Sequence, residues 1–155
     1  MFNIILYQPE IPPNTGNIMR LCANTGSRLH LIHPLGFELD DKRMRRAGLD
    51  YMDWKYVEQH ASYADCLQNI TYRRMFACST KGTQSYAEVQ FEPQDAFLFG
   101  PETRGLPVEI LADFKPQDVL RLPMLADSRS INLSNATAIF LFEAWRQIDF
   151  LGAAN

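Results

Sequence analysis

The chain has 155 residues, 15 Lys and Arg against 18 Asp and Glu, and a formal net charge of −3. That length suits a single domain spanning residues 1–155, with core enough to fold without disulfide staples. The charge excludes wholesale electrostatic coating of nucleic acid, though a local basic patch stays open.

The cysteines Cys22, Cys66 and Cys78 are odd in number and widely spaced. Together with His30, His33 and His60 they form no CxxC or HxxxH pattern, so a reduced, cytoplasmic chain without a metal site is expected. Met1-Phe2-Asn3-Ile4 shows no basic stretch before an apolar core, so no secretory leader is expected. No apolar run approaches the ~20 residues that span a membrane.

In chain order, Phe2 to Tyr7 is an apolar run that fits a buried strand. Pro9, Pro12 and Pro13 force an extended loop. Asn14 or Thr15 then caps a helix through Cys22 to Asn24, with Ile18, Leu21 and Cys22 toward the core, and Gly26 ends it. Leu29 to Ile32 is a second strand, with His30 and His33 flanking its end. Asp40 to Ala47 is a short basic helix or turn, and Trp54 to Val57 a further strand. His60 falls in a turn, and all three histidines are read as structural. Ala61 to Asn69 is helical, with Tyr63, Cys66 and Leu67 on one face. Met75–Cys78 and Ala96–Phe99 are short buried strands. Pro107 to Asp113 is a short helix with Pro in its first turn. Val119 to Leu122 is the last strand, and a helix opened by Ser130 or Asn132 runs to about Asp149. Strands alternating with helices predict an α/β fold with a parallel sheet, and ligands then sit beyond the carboxyl ends of strands.

Three segments after strands carry the chemistry. After the first comes Asn14-Thr15-Gly16-Asn17-Ile18-Met19-Arg20. With Asn14 as cap, Arg20 lies about 9 Å along the helix axis, where it either acts on a ligand or snorkels at the surface. After Phe97-Leu98-Phe99 comes Gly100-Pro101-Glu102-Thr103-Arg104-Gly105-Leu106-Pro107, a sharply turned loop in which Glu102 and Arg104 can pair. It matches neither GxGxxG nor GxxxxGK[ST]. After Leu120-Arg121-Leu122 comes Pro123-Met124, then Ser128-Arg129-Ser130-Ile131-Asn132-Leu133-Ser134-Asn135-Ala136. Taken alone, this polar run is a helix cap.

Together, in this order and spacing, the three segments resemble the three motifs of the SPOUT-class (TrmH-like) RNA 2′-O-ribose methyltransferases. The resemblance spans nearly the whole chain. The short length is most similar to the TrmL (YibK) group, which methylates the wobble ribose of bacterial leucine tRNAs. It implies a mostly parallel sheet flanked by helices, with a C-terminal trefoil knot. It implies S-adenosylmethionine (SAM) as cofactor, S-adenosylhomocysteine as product and no metal. The cofactor residues would be Cys78, Ser79, Thr80, Gly100, Glu102, Gly105, Leu122, Met124, Ser130, Ile131, Asn132 and Leu133. It also implies Arg20 as the catalytic residue, supported by Asn17 and Ser130, in a homodimer with the active site near the interface.

The residues add to this reading. Ala138 to Phe142, Ala144, Trp145 and Ile148 make the last helix apolar nearly all round. That demands cover on more than one side, from a partner subunit or from the chain's own core. No motif segment holds a His to take the 2′-hydroxyl proton. The resemblance casts Arg20 as a general base; because a guanidinium stays protonated, the other reading is that it stabilises a developing alkoxide and grips a phosphate, and its microscopic role stays open between the two. Lys42, Arg43, Arg45 and Arg46 form the densest basic run, with Lys55, Arg73, Arg74 and Lys81 as possible additions. Tyr51, Trp54 and Tyr56 lie nearby. Cations with aromatic faces suit the unstacked bases of a tRNA anticodon stem-loop; a solvated basic helix beside core aromatics is the other reading. Competing functions are the same chemistry at another tRNA position or on rRNA, a non-catalytic RNA- or SAM-binding domain, and a flavodoxin-like nucleotide binder.

Overall fold

The computed structural model describes residues 1–40, 42 and 51–154, with Tyr51 and Met52 described by their backbone alone. The predicted basic helix of residues 40–47, with Arg43, Arg45 and Arg46, therefore lies almost wholly outside the described residues. Of that run Lys42 is described: it is exposed and its N–H donates to Asp40 Oδ1 at 2.7 Å.

The described elements are β1 (Asn3–Tyr7), α1 (Pro12–Thr25), β2 (Arg28–Ile32), α2 (Tyr51–Trp54), β3 (Val57–His60), α3 (Tyr63–Asn69), β4 (Met75–Cys78), β5 (Gln84–Ser85), β6 (Ala96–Phe99), α4 (Val108–Leu111), β7 (Val119–Arg121) and α5 (Leu133–Gln147). The strands form one seven-stranded sheet in the order β3-β2-β1-β6-β4-β7-β5. Every pairing is parallel. The chain is α/β, as the alternation of strand-like and helix-like runs predicts.

Alternate side chains of the strands face opposite sides. Ile4, Leu6, Leu29, Leu31, Phe97 and Phe99 join Ile18, Met19 and Cys22 of α1 and Phe140, Leu141 and Ala144 of α5 in one core layer. Ile5, Ile32, Ala77 and Leu98 join Cys66 of α3 and Ile110 of α4 in the other. Because both faces are covered, the central strands read as unbroken apolar runs. That is why their sequence limits and structural limits nearly coincide.

Most limits shift by one or two residues from the sequence reading; the larger differences lie at α1, at β3 and at β5. Helix α1 starts at Pro12, with Ile11 as a cap that makes no side-chain bond. Proline presets the helical φ and needs no donor in the first turn, so Pro12 and Pro13 open the helix rather than precede it. Asn14 is thus freed from capping, while Gly26 ends the helix in the left-handed conformation (φ 65°) as expected. The strand expected at Trp54–Val57 is displaced: Trp54 closes α2 and packs on the core, and β3 begins at Val57. The two-residue edge strand β5 carries no apolar run and was not anticipated. His30 lies in the middle of β2, and His60 ends β3 rather than sitting in a turn.

Phe97 is the centre of the larger layer. Its ring lies within 6.2 Å, centroid to centroid, of Phe2, Phe76, Phe91 and Phe140. Around α5 the burial divides: Phe140, Leu141 and Ala144 are enclosed, whereas Phe142 is 46% and Ile139 38% exposed. Phe142, Trp145 and Phe150 continue this outward face as an edge-to-face ladder with centroids 5.6 and 5.4 Å apart. Phe97→Ala is expected to lower unfolding free energy by about 3–5 kcal/mol through transfer and cavity losses. Urea denaturation would show this as a lower midpoint at unchanged slope.

Candidate active site

A cavity of about 370 Å³ opens beyond the carboxyl ends of β6, β4 and β7. This is where a parallel sheet leaves room for a ligand, because each strand there turns back toward a helix. Cys78, Ser79 and Thr80 contribute from the end of β4, and Gly100, Glu102 and Gly105 from the loop after β6. Leu122 and Met124 follow β7, and Ser130, Ile131, Asn132 and Leu133 lead into α5. All twelve residues expected around a cofactor therefore line one space. Lys81, Phe99, Leu120 and Phe140 complete the wall, so apolar faces alternate with hydroxyls, amides and loop backbone.

The loop after β6 closes tightly on itself. The Gly105 N–H donates to Pro101 O at 2.9 Å, and Gly105 has φ of 67°. A Cβ on Gly100 would collide with the backbone of Gly105 and Leu106, so only glycine permits this closure. The thiol of Cys78 is buried, and burial holds its pKa well above the usual value. It forms wall, not nucleophile.

Glu102 connects the three segments. Its carboxylate accepts from the Glu10 N–H at 2.7 Å, the Ile11 N–H at 3.1 Å and Asn14 Nδ2 at 3.2 Å. A carboxylate thus sits at the positive end of α1, which stabilises both partners. Asn14 Oδ1 in turn accepts from Asn132 Nδ2 at 3.0 Å. Asn132 is the cap of α5: its Oδ1 accepts from the N–H groups of Ser134 (2.9 Å) and Asn135 (3.4 Å). Of the two candidate caps, Asn132 takes the role, and Ser130 is exposed at the rim. The expected Glu102–Arg104 pair does not form. Arg104 turns to Gln8 Oε1 at 3.4 Å and Glu10 at 4.0 Å, because the Glu102 oxygens are already engaged by α1.

Arg20 and Asn17 are exposed on α1 and do not line the cavity. They share a helix whose opening residues, Ile11 and Asn14, do line it. Within one chain the structure thus brings Ser130 to the cavity and leaves Arg20 and Asn17 outside it. Arg20 lies beside the buried Asp53 of α2, Nη2 to Oδ2 4.0 Å. Asp53 and Glu10 carry no role in the sequence reading, and Asn14 enters it only as a helix cap at the head of the first motif segment. A Pro-Pro helix start could have flagged Asn14; nothing local marks Asp53.

Two of the further basic residues are committed elsewhere. Arg73 pairs with Glu92 at 2.7 Å, and Arg74 with the fully buried Asp95 at 2.6 Å. Both precede β4, at the end of that strand opposite the cavity. Lys55 lies 5.3 Å from the Tyr56 ring centroid.

The model of the SpoU rRNA methylase family matches residues 1–142. The chain belongs to this family. Among family relatives, a tRNA (cytidine(34)-2′-O)-methyltransferase of Methylovorus glucosotrophus (strain SIP3-4) is 57% identical over 99% of both chains. One of the same name from Escherichia coli (strain K12) is 54% identical over 99% of this chain and 98% of its own. Of solved structures, a putative RNA methyltransferase from Bacillus anthracis superposes with a TM-score of 0.91 at 40% identity, covering 100% of this chain and 99% of its own. A second, solved for insight into 2-OH methylation of C/U34 on tRNA, superposes at 0.87 with 44% identity, covering 96% and 97%.

Asn132→Ala removes the cap of α5 and the donor to Asn14 together. It is expected to destabilise the fold by about 1–2 kcal/mol, the upper range for a lost cap. Ser130→Ala, at the exposed rim, should leave the urea midpoint unchanged.

Proposed function

We propose that this chain is a SAM-dependent 2′-O-ribose methyltransferase of the wobble nucleotide, position 34, of leucine tRNAs. It acts in the cytoplasm as a homodimer, with its C-terminal segments threaded in a trefoil knot. The observation that carries the reading is the convergence of all three motif segments on one cavity, cross-linked through Glu102, Asn14 and Asn132. Full-length relatives named for methylation at C34 point to tRNA rather than to the rRNA of the family description.

The cavity suits SAM by its donor set. Leu122, Ile131 and Leu133 offer walls for a flat base, the loop backbone from Gly100 to Gly105 offers edge partners, and Ser79 and Thr80 offer hydroxyls. When bound, SAM supplies an electrophilic methyl group on a sulfonium.

The protein's own residues do the rest. The walls exclude water, and the Glu102–Asn14–Asn132 hydrogen bonds fix the starts of α1 and α5 relative to each other, so the reacting groups are held in line. Arg20 presents a planar cation from the middle of α1. In this reading it stabilises charge developing on the ribose 2′-oxygen and grips an adjacent phosphate bidentately. Asp53 beside it restricts the guanidinium's direction. Asn17 and Ser130 orient ribose groups. Because Arg20 stands outside its own chain's cavity, a second copy docked on the apolar face of α5 is the natural way to complete the site.

Labelled-methyl transfer to unmodified leucine tRNAs, with nucleoside mapping, tests this. Wild type should label the 2′-O-ribose of the wobble nucleotide. Arg20→Ala should fall by about 10²-fold or more, the scale of losing one preorganised charge-stabilising donor, with SAM affinity retained. Label on a base, or full activity of Arg20→Lys, would contradict the bidentate role. Neutralising Lys42, Arg43, Arg45 and Arg46 together should weaken tRNA binding and flatten its dependence on salt, leaving SAM binding intact. Light scattering of a monomer at micromolar concentration would rule out the dimer.

A further inference from the structure

On the sheet face opposite α1 and α5, the parallel register sets His30 beside Glu58 and Ile32 beside His60. Glu58 and His60 are two residues apart on β3 and so share a face, and His30 of β2 meets both. His30 Nδ1 lies 3.0 Å from His60 Nε2 and 3.7 Å from Glu58 Oε2. The three donor atoms lie within 4.8 Å of one another. In a tetrahedral site with metal–nitrogen bonds of 2.0–2.1 Å, donors stand about 3.3 Å apart, which these two separations bracket. We propose that His30, Glu58 and His60 form a site for one divalent transition-metal ion of the zinc class.

The hydrogen bonds around the cluster fix its proton arrangement. Asn3 Nδ2 donates to Thr71 O at 3.2 Å, which turns Asn3 Oδ1 toward His30 Nε2 at 3.2 Å. His30 therefore carries its proton on Nε2 and presents a bare Nδ1 to His60 and Glu58. Without metal, His60 Nε2–H donates to that lone pair. With metal, His60 moves its proton through solvent to Nδ1, which faces Asp65 Oδ2 at 4.0 Å. The Asp65 carboxylate is held by the Ala61 N–H at 2.9 Å and Asn69 Nδ2 at 2.8 Å. The far nitrogen of His30 thus has a hydrogen-bond partner, and that of His60 faces a carboxylate 4.0 Å away, the kind of surroundings that orient metal-binding histidines.

The surroundings allow entry. His30 and His60 are 2% and 4% exposed, while the Glu58 side chain is 40% exposed. A cavity of about 360 Å³, lined in part by His30, Glu58 and Asn69, leads to the cluster. Arg28 brings an opposing charge: it holds Glu58 Oε1 at 2.6 Å and leaves Oε2 facing His30. Two imidazoles and one carboxylate leave a fourth position for water, and this donor set suits zinc, cobalt and nickel rather than magnesium or calcium.

The test uses untagged full-length protein stripped with chelator and titrated with Co²⁺, then Zn²⁺. Wild type should bind one ion per chain, with visible Co²⁺ bands of a low-coordinate site that Zn²⁺ displaces. Glu58→Gln and His60→Gln should each weaken binding at least tenfold, and His33→Gln, outside the cluster, should not. Zn²⁺ should raise the melting temperature of wild type and of His33→Gln but not of Glu58→Gln, which checks folding of each variant at once. Equal binding by wild type and Glu58→Gln, or no ion bound above one per several chains, would overturn the site.

Discussion

One buried-edge carboxylate holds this architecture together at its functional end. Glu102 accepts from the Glu10 and Ile11 N–H groups that lead into α1, and it does so from a loop about ninety residues further along the chain. Asn14 extends the link to Asn132, and Asn132 spends its own oxygen on the first turn of α5. Two helix starts and one glycine-hinged loop thus share a single chain of hydrogen bonds. Each member is used twice, so no part of the cavity rim is set independently of the others.

The sheet supplies the frame for that link. Parallel strands require crossover segments, and all seven strands run the same way, so the loops after β4, β6 and β7 emerge on one side. Apolar layers on both faces fix the strand ends, and the tight loop from Gly100 to Gly105 brings Glu102 within reach of α1. The rigidity required for in-line transfer comes from this frame rather than from any one site residue. The same frame sets His30, Glu58 and His60 side by side, at the outer strands, far from the motif segments in sequence.

Much of this was legible in the chain itself. The strands at Met75–Cys78 and Ala96–Phe99 have the predicted limits because they are buried on both faces and bounded by polar turns. The residues expected around a cofactor were named through motif resemblance, and the structure gathers them around one cavity. What sequence could not give is pairing across distance. Asn14 looked like a cap because its type favours caps, yet the prolines before it start the helix first. Arg104 looked like the partner of Glu102 because it is two residues away, yet the α1 backbone competes better. His30, Glu58 and His60 match no metal spacing because their proximity arises from strand register, which no linear pattern records. Trp54 falls in the expected Trp54–Val57 strand, yet it packs on the core from a short helix, because tertiary contact outweighs the aromatic preference for strands.

The central claim is that Glu102, Asn14 and Asn132 act as one unit that builds the cofactor cavity. A double-mutant cycle on SAM affinity tests it most directly, using wild type, Glu102→Gln, Asn132→Ala and the double variant. The account predicts that the two losses do not add, with a coupling of at least about 0.5 kcal/mol, and that the coupling vanishes in an Asn14→Ala background. Losses that sum within experimental error, with Asn14 intact, would contradict it.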